Sequence, residues 1–167
     1  MSKILDFFRH KNIRKVTKKD WKINDIPSDY TIHNFACNRD ISEANIEKLK
    51  LGHIPAEMED KYFIVSEDDY PFTAVRIYSG MSGDLLYTML FDNAYDEKED
   101  NDYAKVEVYA YYDDAKIEDC IREIASSPEE FLERQFYEIL DFYLGEEYER
   151  YMKFLKEHYN LSPKKGF

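Results

Sequence analysis

The clearest alternation of apolar and polar positions lies in the middle of the chain. Three runs, Lys61 to Ser66, Phe72 to Ser79 and Leu85 to Asp92, are rich in β-branched and aromatic residues. Turn chemistry separates them. Glu67-Asp68-Asp69-Tyr70-Pro71 is expected to join the first pair and Ser79-Gly80-Met81-Ser82-Gly83-Asp84 the second, with Gly80 and Gly83 free to take positive φ. That order predicts an antiparallel meander. A polar stretch from Asn93 to Asp102 leads to a fourth run, Tyr103 to Tyr112, where Val106, Val108 and Ala110 alternate with Lys105, Glu107 and Tyr109. Upstream, Pro27 blocks helix and Tyr30, Ile32 and Asn34 alternate with their neighbours, which predicts one more strand near 30–37.

Helical spacing governs the flanks. Ser42 can cap a helix to Leu51 with Ile46 and Leu49 on its buried stripe, before Gly52 takes the left-handed position and Pro55 prevents continuation. Beyond Asp114 the period turns helical again, with Ile117, Ile121 and Ile124 on one stripe of Ala115 to Ala125. Ser127-Pro128-Glu129-Glu130 then has the form of a helix start: a serine cap, a proline in the first turn and a glutamate at the capping-box position. The helix it opens carries Phe131, Leu132, Gln135, Phe136, Ile139, Leu140 and Tyr143. After Gly145 the pattern resumes with Tyr148, Tyr151, Met152, Leu155 and Tyr159. Strands followed by helices predict an α+β fold: an antiparallel meander of about four to five strands packed with N-terminal and C-terminal helices.

The length of 167 residues fits one domain, 1–167, able to bury a sizeable core. With 15 Tyr and 11 Phe, rings must do much of the packing, and many tyrosines are expected at a wet surface. Two cysteines, Cys37 and Cys120, are too few for a disulfide framework, which points to a reducing compartment. The N-terminus does not read as an export signal, no run of about 18 apolar residues exists, and a cytoplasmic location is expected.

Charge changes the picture most. Residues 1–22 hold eight Lys/Arg against two Asp, a net of +6, so the remainder carries −18 of the chain's −12 total. Within this segment Ile4, Leu5, Phe8, Ile13 and Val16 recur at roughly helical spacing, giving a basic amphipathic helix over 2–16. Such a helix can touch an anionic membrane or nucleic acid, but packing on the domain with a solvated basic face is the favoured reading. So acidic a body repels nucleic-acid phosphates over most of its surface, excluding general nucleic-acid binding, and attracts a basic partner protein.

Candidate chemistry is sparse. His10, His33, His53 and His158 form no pair at metal-ligand spacing, and Gly80-Met81-Ser82-Gly83 lacks the ending and context of a phosphate loop. Cys37 has no activating neighbour, and the acid-rich loop from Asp92 to Asp102 lacks the glycine and terminal glutamate of an EF-hand. No catalytic residue, metal or cofactor is therefore called for.

Ile54-Pro55-Ala56-Glu57-Met58-Glu59-Asp60-Lys61-Tyr62-Phe63-Ile64-Val65, followed by Val75-Arg76-Ile77-Tyr78-Ser79-Gly80 and Leu86-Tyr87, resembles a small bacterial domain family sometimes found beside ADP-ribose-binding macrodomains. The core of that family reads Met-Glu-Asp-Lys-Trp-Phe-Ile and then Arg-Ser-Trp-Thr-Gly. The resemblance covers residues 54–91 and extends loosely to Ser127-Pro128-Glu129-Glu130-Phe131. Tyr62 and Tyr78 stand where the family has tryptophans and Ile77 where it has a serine, so a binding site built on those indoles is altered or lost. The resemblance implies architecture and brings no activity with it.

Two functional readings follow. The first is a non-catalytic binding protein of bacterial or phage origin that occupies a basic partner protein, as toxin-immunity and anti-defence inhibitors do, through Glu67, Asp68, Asp69, Asp96, Glu97, Glu99 and Asp100. The second is a small-ligand domain for a nucleotide or ADP-ribose-like molecule held by Lys61, Arg76 and Tyr78, since an arginine beside an aromatic can grip a phosphate or stack on a base. Against it stands a plainer role for the same residues, with Arg76 paired to Glu59 or Asp60 and Tyr78 packed under the helix. An enzyme is a third class, for which the sequence offers only unpaired acids and isolated histidines.

Overall fold

The structure is a computed structural model that describes residues 15–55, 61–69, 71–92, 103–104, 106–121 and 127–159. Its centre is a five-stranded antiparallel sheet in the order β1-β7-β5-β4-β3, built from β1 (Thr31–Ala36), β3 (Tyr62–Asp69), β4 (Phe72–Ser79), β5 (Leu85–Asp92) and β7 (Val106–Tyr112). Two short strands, β2 (Ile41–Ser42) and β6 (Tyr103–Ala104), pair separately. Among the described residues four α-helices follow or interrupt the strands: α1 (Glu43–Leu51), α2 (Asp114–Ile121), α3 (Pro128–Tyr143) and α4 (Glu146–Tyr159). The expected α+β architecture and meander are present, and β1 joins the meander through β7.

One expectation changes. The acidic trio Glu67-Asp68-Asp69 belongs to β3 and not to a loop, because pairing with β4 continues to Asp69↔Phe72. Thr73 fixes the end of this hairpin by donating its hydroxyl to Asp68 Oδ1 at 2.8 Å. Alternation along a strand then sends Glu67 and Asp68 to opposite faces of the sheet. The fourth run is also divided: its first two residues pair with β2, and only Val106–Tyr112 joins the large sheet.

One face of the sheet carries Ile64, Val75, Ile77, Tyr87, Met89, Phe91, Val106, Val108 and Ala110. α3 covers it with Leu132, Phe136, Ile139, Leu140 and Tyr143, a stripe at helical spacing. Ser127 starts α3 as expected, its hydroxyl accepting from Glu130 N at 3.2 Å, and Ser42 does the same for α1 from Asn45 N. The Tyr87 phenol lies 2.9 Å from Leu132 O and 2.7 Å from Gln135 Oε1, so the sheet is hydrogen-bonded to the helix above it.

At the end of α1 Gly52 has the expected positive φ of 84°, but its ψ of −177° is extended rather than helical, a conformation nearly confined to glycine. A Cβ there would sit 2.4 Å from Ile64 O. In the β4–β5 turn only Gly83 takes a positive φ, 77°, while Gly80 does not. Most of the expected basic helix over 2–16 falls outside the described residues. Residues 15–24 form an irregular strap with one 3-10 turn, Lys18–Asp20, lying on the face opposite the helices.

Candidate functional site

Strand alternation and register place Phe63, Val65 and Glu67 of β3, Phe72, Ala74, Arg76 and Tyr78 of β4, and Thr88 and Leu90 of β5 on the strap's side of the sheet. Glu107, Tyr109 and Tyr111 of β7 and Ile32, Asn34 and Ala36 of β1 complete it. No described helix covers this face.

The strap covers one part. Val16, Phe63, Val65, Tyr78 and Leu85 form a small buried cluster, joined by Trp21, Ile23, Ile54 and Tyr111. Trp21 stacks on Phe63 with ring centroids 6.2 Å apart and donates its indole N–H to Gly80 O at 3.0 Å. Val16 N donates to Leu51 O, and Asn24 N to Gly83 O. The close passage of Lys22 O, 2.4 Å from a Cβ on Gly83, explains why the turn needs glycine there.

The three side chains expected to hold a small ligand are not gathered round one opening. Tyr78 is 4% exposed under the strap. Arg76 donates to Glu67 Oε2 at 2.7 Å, and Lys18 pairs with the other oxygen of the same carboxylate. Burial by itself would raise the Glu67 pKa, but the two cations outweigh it and hold the carboxyl below its ordinary value. Lys61 is exposed, and the register places it opposite Gly80, two pairs beyond Tyr62↔Ser79's neighbour Phe63↔Tyr78 and about 13 Å along the strands from Arg76.

The expected partner-binding acids divide in the same way. Glu67 is locked between two cations, Asp68 is exposed at the hairpin end, and Asp69 pairs with Phe72 in the ladder. Asp96, Glu97, Glu99 and Asp100 lie outside the described residues.

What composition and periodicity did not single out is the part of this face left open beside the strap. Ile32 is 56% exposed and Phe72 41%. Between them run Leu90 and Tyr109, both half-buried, with Asn34 and Ala36 exposed on β1. The Tyr109 hydroxyl donates to Glu107 Oε2 at 3.1 Å, which raises the phenol's pKa and tethers the side chain; Tyr111 donates to Thr88 Oγ1 at the same distance. Exposed carboxylates of Glu107 and Asp92 stand on the same face. The result is an aromatic and aliphatic surface rimmed by negative charge.

Elsewhere the polar groups are structural. His53 is 4% exposed, shares Nδ1 with the Tyr148 hydroxyl at 3.0 Å, and packs against Tyr143, Tyr148 and Tyr151. The small cavity beside it, lined by Lys48, Gly52, His53, Ile64, Tyr143 and Tyr148 among others, has room for about one water molecule. His33 faces Glu133, and Arg39 lies over Tyr137 and pairs with Asp141. Burial pushes the Cys37 thiol pKa up, the opposite of what a nucleophile needs. Among the described residues no three His, Cys, Asp or Glu side chains could share a metal ion, and no helix is long and apolar enough to cross a membrane.

No protein-family model, curated protein or solved structure matches the chain. The surface itself therefore carries the functional argument.

Proposed function

We propose that this protein is a non-catalytic binding protein that works by occupying a basic partner protein, in the manner of a toxin-immunity or anti-defence inhibitor. The observation that carries this reading is the open part of the sheet, where Ile32, Phe72, Leu90 and Tyr109 lie beside Glu107 and Asp92. A domain of this size ordinarily spends a sheet face on its own core, and an exposed apolar surface with a polar rim is the usual mark of a contact site. Tyrosines give such a surface contact area at small entropic cost, and the net charge of −12 speeds encounter with a cation-bearing partner. The nucleotide-like ligand reading gains no support from the placement of Lys61, Arg76 and Tyr78.

The test is co-purification from the organism of origin with three proteins: wild type, the Ile32→Ser/Tyr109→Ala double variant, and an Arg134→Ser control on the outer face of α3. A partner retained by wild type and control and lost from the double variant supports the reading. A partner retained equally by all three contradicts it.

A further inference from the structure

The open face also limits what kind of element can sit on it, an argument that rests on the binding reading above. Strand addition at the β1 edge has little to work with. Cys37 N donates to Val106 O, so the alternating antiparallel pattern turns the backbone groups of Phe35, His33 and Thr31 toward β7 and leaves those of Ile32, Asn34 and Ala36 facing outward. The outer end is then taken up by Tyr137, whose hydroxyl donates to Ala36 O at 3.4 Å and accepts from Asn38 N at 3.0 Å. At the other end Tyr30 N is turned back to Pro27 O. Only Ile32 and Asn34 remain to pair, too short a ladder to hold a strand.

The face, by contrast, has the dimensions of a helix. From β1 to β4 it crosses four strands, about 14 Å, against a helix diameter of about 10–12 Å with side chains. Along the strands the row Ile32–Ala36 runs about 13 Å, or two to three helical turns. α3 already packs on the opposite side of the same sheet in this way. Charge selects the sign of the occupant's flanks. Glu107 stands exposed on the face, and of the described cations on this side of the sheet Arg76 and Lys18 both pair with Glu67. The Tyr109 ring, tethered through Glu107, offers a surface for the aliphatic stem of a lysine or arginine beside a carboxylate. A second copy of this chain would bring another −12 of charge to the same rim. We infer that the open part of the sheet accepts an amphipathic helix of the partner protein, aliphatic at its centre and flanked by lysine or arginine.

Two synthetic helical peptides of about 18 residues, five turns, test this: one with leucine on one face and lysine on the other, and one with glutamate replacing lysine. Each is titrated by calorimetry and by backbone amide shift mapping into the full chain and into the Ile32→Ser/Tyr109→Ala variant, which leaves net charge unchanged. The lysine peptide is expected to shift amides at 32–36, 88–90 and 107–111, and to bind the variant at least about tenfold more weakly, the loss of one to two anchors. Matching thermal melts for the two proteins exclude misfolding, and a Glu107→Gln/Asp92→Asn pair provides a second weakening variant. The glutamate peptide should give no saturable binding. Equal binding of the lysine peptide to wild type and variant would reveal diffuse charge attraction and overturn the inference. So would shifts confined to α3 and α4, or a peptide-free dimer burying the same amides. If the natural partner depends on Ile32 and Tyr109 while the lysine peptide does not bind there, the helix inference falls and the binding reading stands. If neither depends on those residues, both fall.

Discussion

Trp21 and Gly80 are joined across the strap: the indole N–H donates to the Gly80 carbonyl at 3.0 Å while the ring lies on Phe63. Trp21 is also the single tryptophan of the chain, so its fluorescence reports on this contact alone. Trp21→Phe keeps a ring over Phe63 and loses the hydrogen bond, at an expected cost of about 1 kcal/mol. In urea, the wild-type fluorescence and far-UV circular dichroism transitions should coincide, showing that the strap unfolds with the sheet. An earlier fluorescence transition would mean that the strap is a separate, weaker unit.

At Gly52 the demand is on the backbone. With φ 84° and ψ −177°, and Ile64 O only 2.4 Å from a Cβ, Gly52→Ala should destabilise by at least about 2 kcal/mol in urea unfolding. Met81→Ala, at a side chain 96% exposed, should stay within about 0.5 kcal/mol.

The core makes its own prediction through Phe136. It is fully buried and meets the rings of Phe35, Tyr87 and Tyr137. Phe136→Ala should cost about 3–5 kcal/mol, read as a lower urea midpoint with an unchanged slope.

Acid should weaken the protein partly through Glu67. Its folded-state pKa lies below the ordinary 4.5, so its share of stability is present above that value and is lost as pH falls through the folded one. Its side chain is 38% exposed, so screening keeps the share small. In Glu67→Gln the urea midpoint should fall less between neutral pH and about pH 3 than in wild type. Parallel pH curves would show that Lys18 and Arg76 do not hold this carboxylate in solution.

Much of the fold was legible because turn chemistry and strand periodicity agreed with the tertiary pairing. β4 and β5 run between the expected residues, and the Ser127 cap and the break at Gly145 fall where the sequence put them. Less legible were features set by residues far apart in sequence. The extent of β3 through Asp69 depends on partners in β4, and the position of residues 15–24 on the sheet depends on Phe63, Gly80 and Gly83. The open face escaped for a related reason. Alternation in Tyr103 to Tyr112 separates Val108 from Tyr109, but it cannot say whether a second layer covers the Tyr109 side. That answer comes from residues 15–24 packing on Phe63, Val65 and Tyr78, and from the exposure of Ile32. Arg76 and Tyr78 share a face as expected, yet Lys18 and Glu67 determine what the arginine does there.

Separating surface from stability is straightforward at the open face. Ile32→Ser/Tyr109→Ala should move the unfolding free energy by no more than about 1 kcal/mol, since both side chains are partly solvated. A loss of partner capture in a variant that melts like wild type is then a loss of contact.

The most direct measurement is photo-crosslinking in the organism of origin, with a benzophenone amino acid placed at Tyr109 in one strain and at Arg134, on the outer face of α3, in another. A single dominant protein adduct is expected from position 109, with none from position 134. Adducts from position 134 alone, or the same adduct in equal yield from both, would contradict the claim that the open sheet face is where this protein meets its partner.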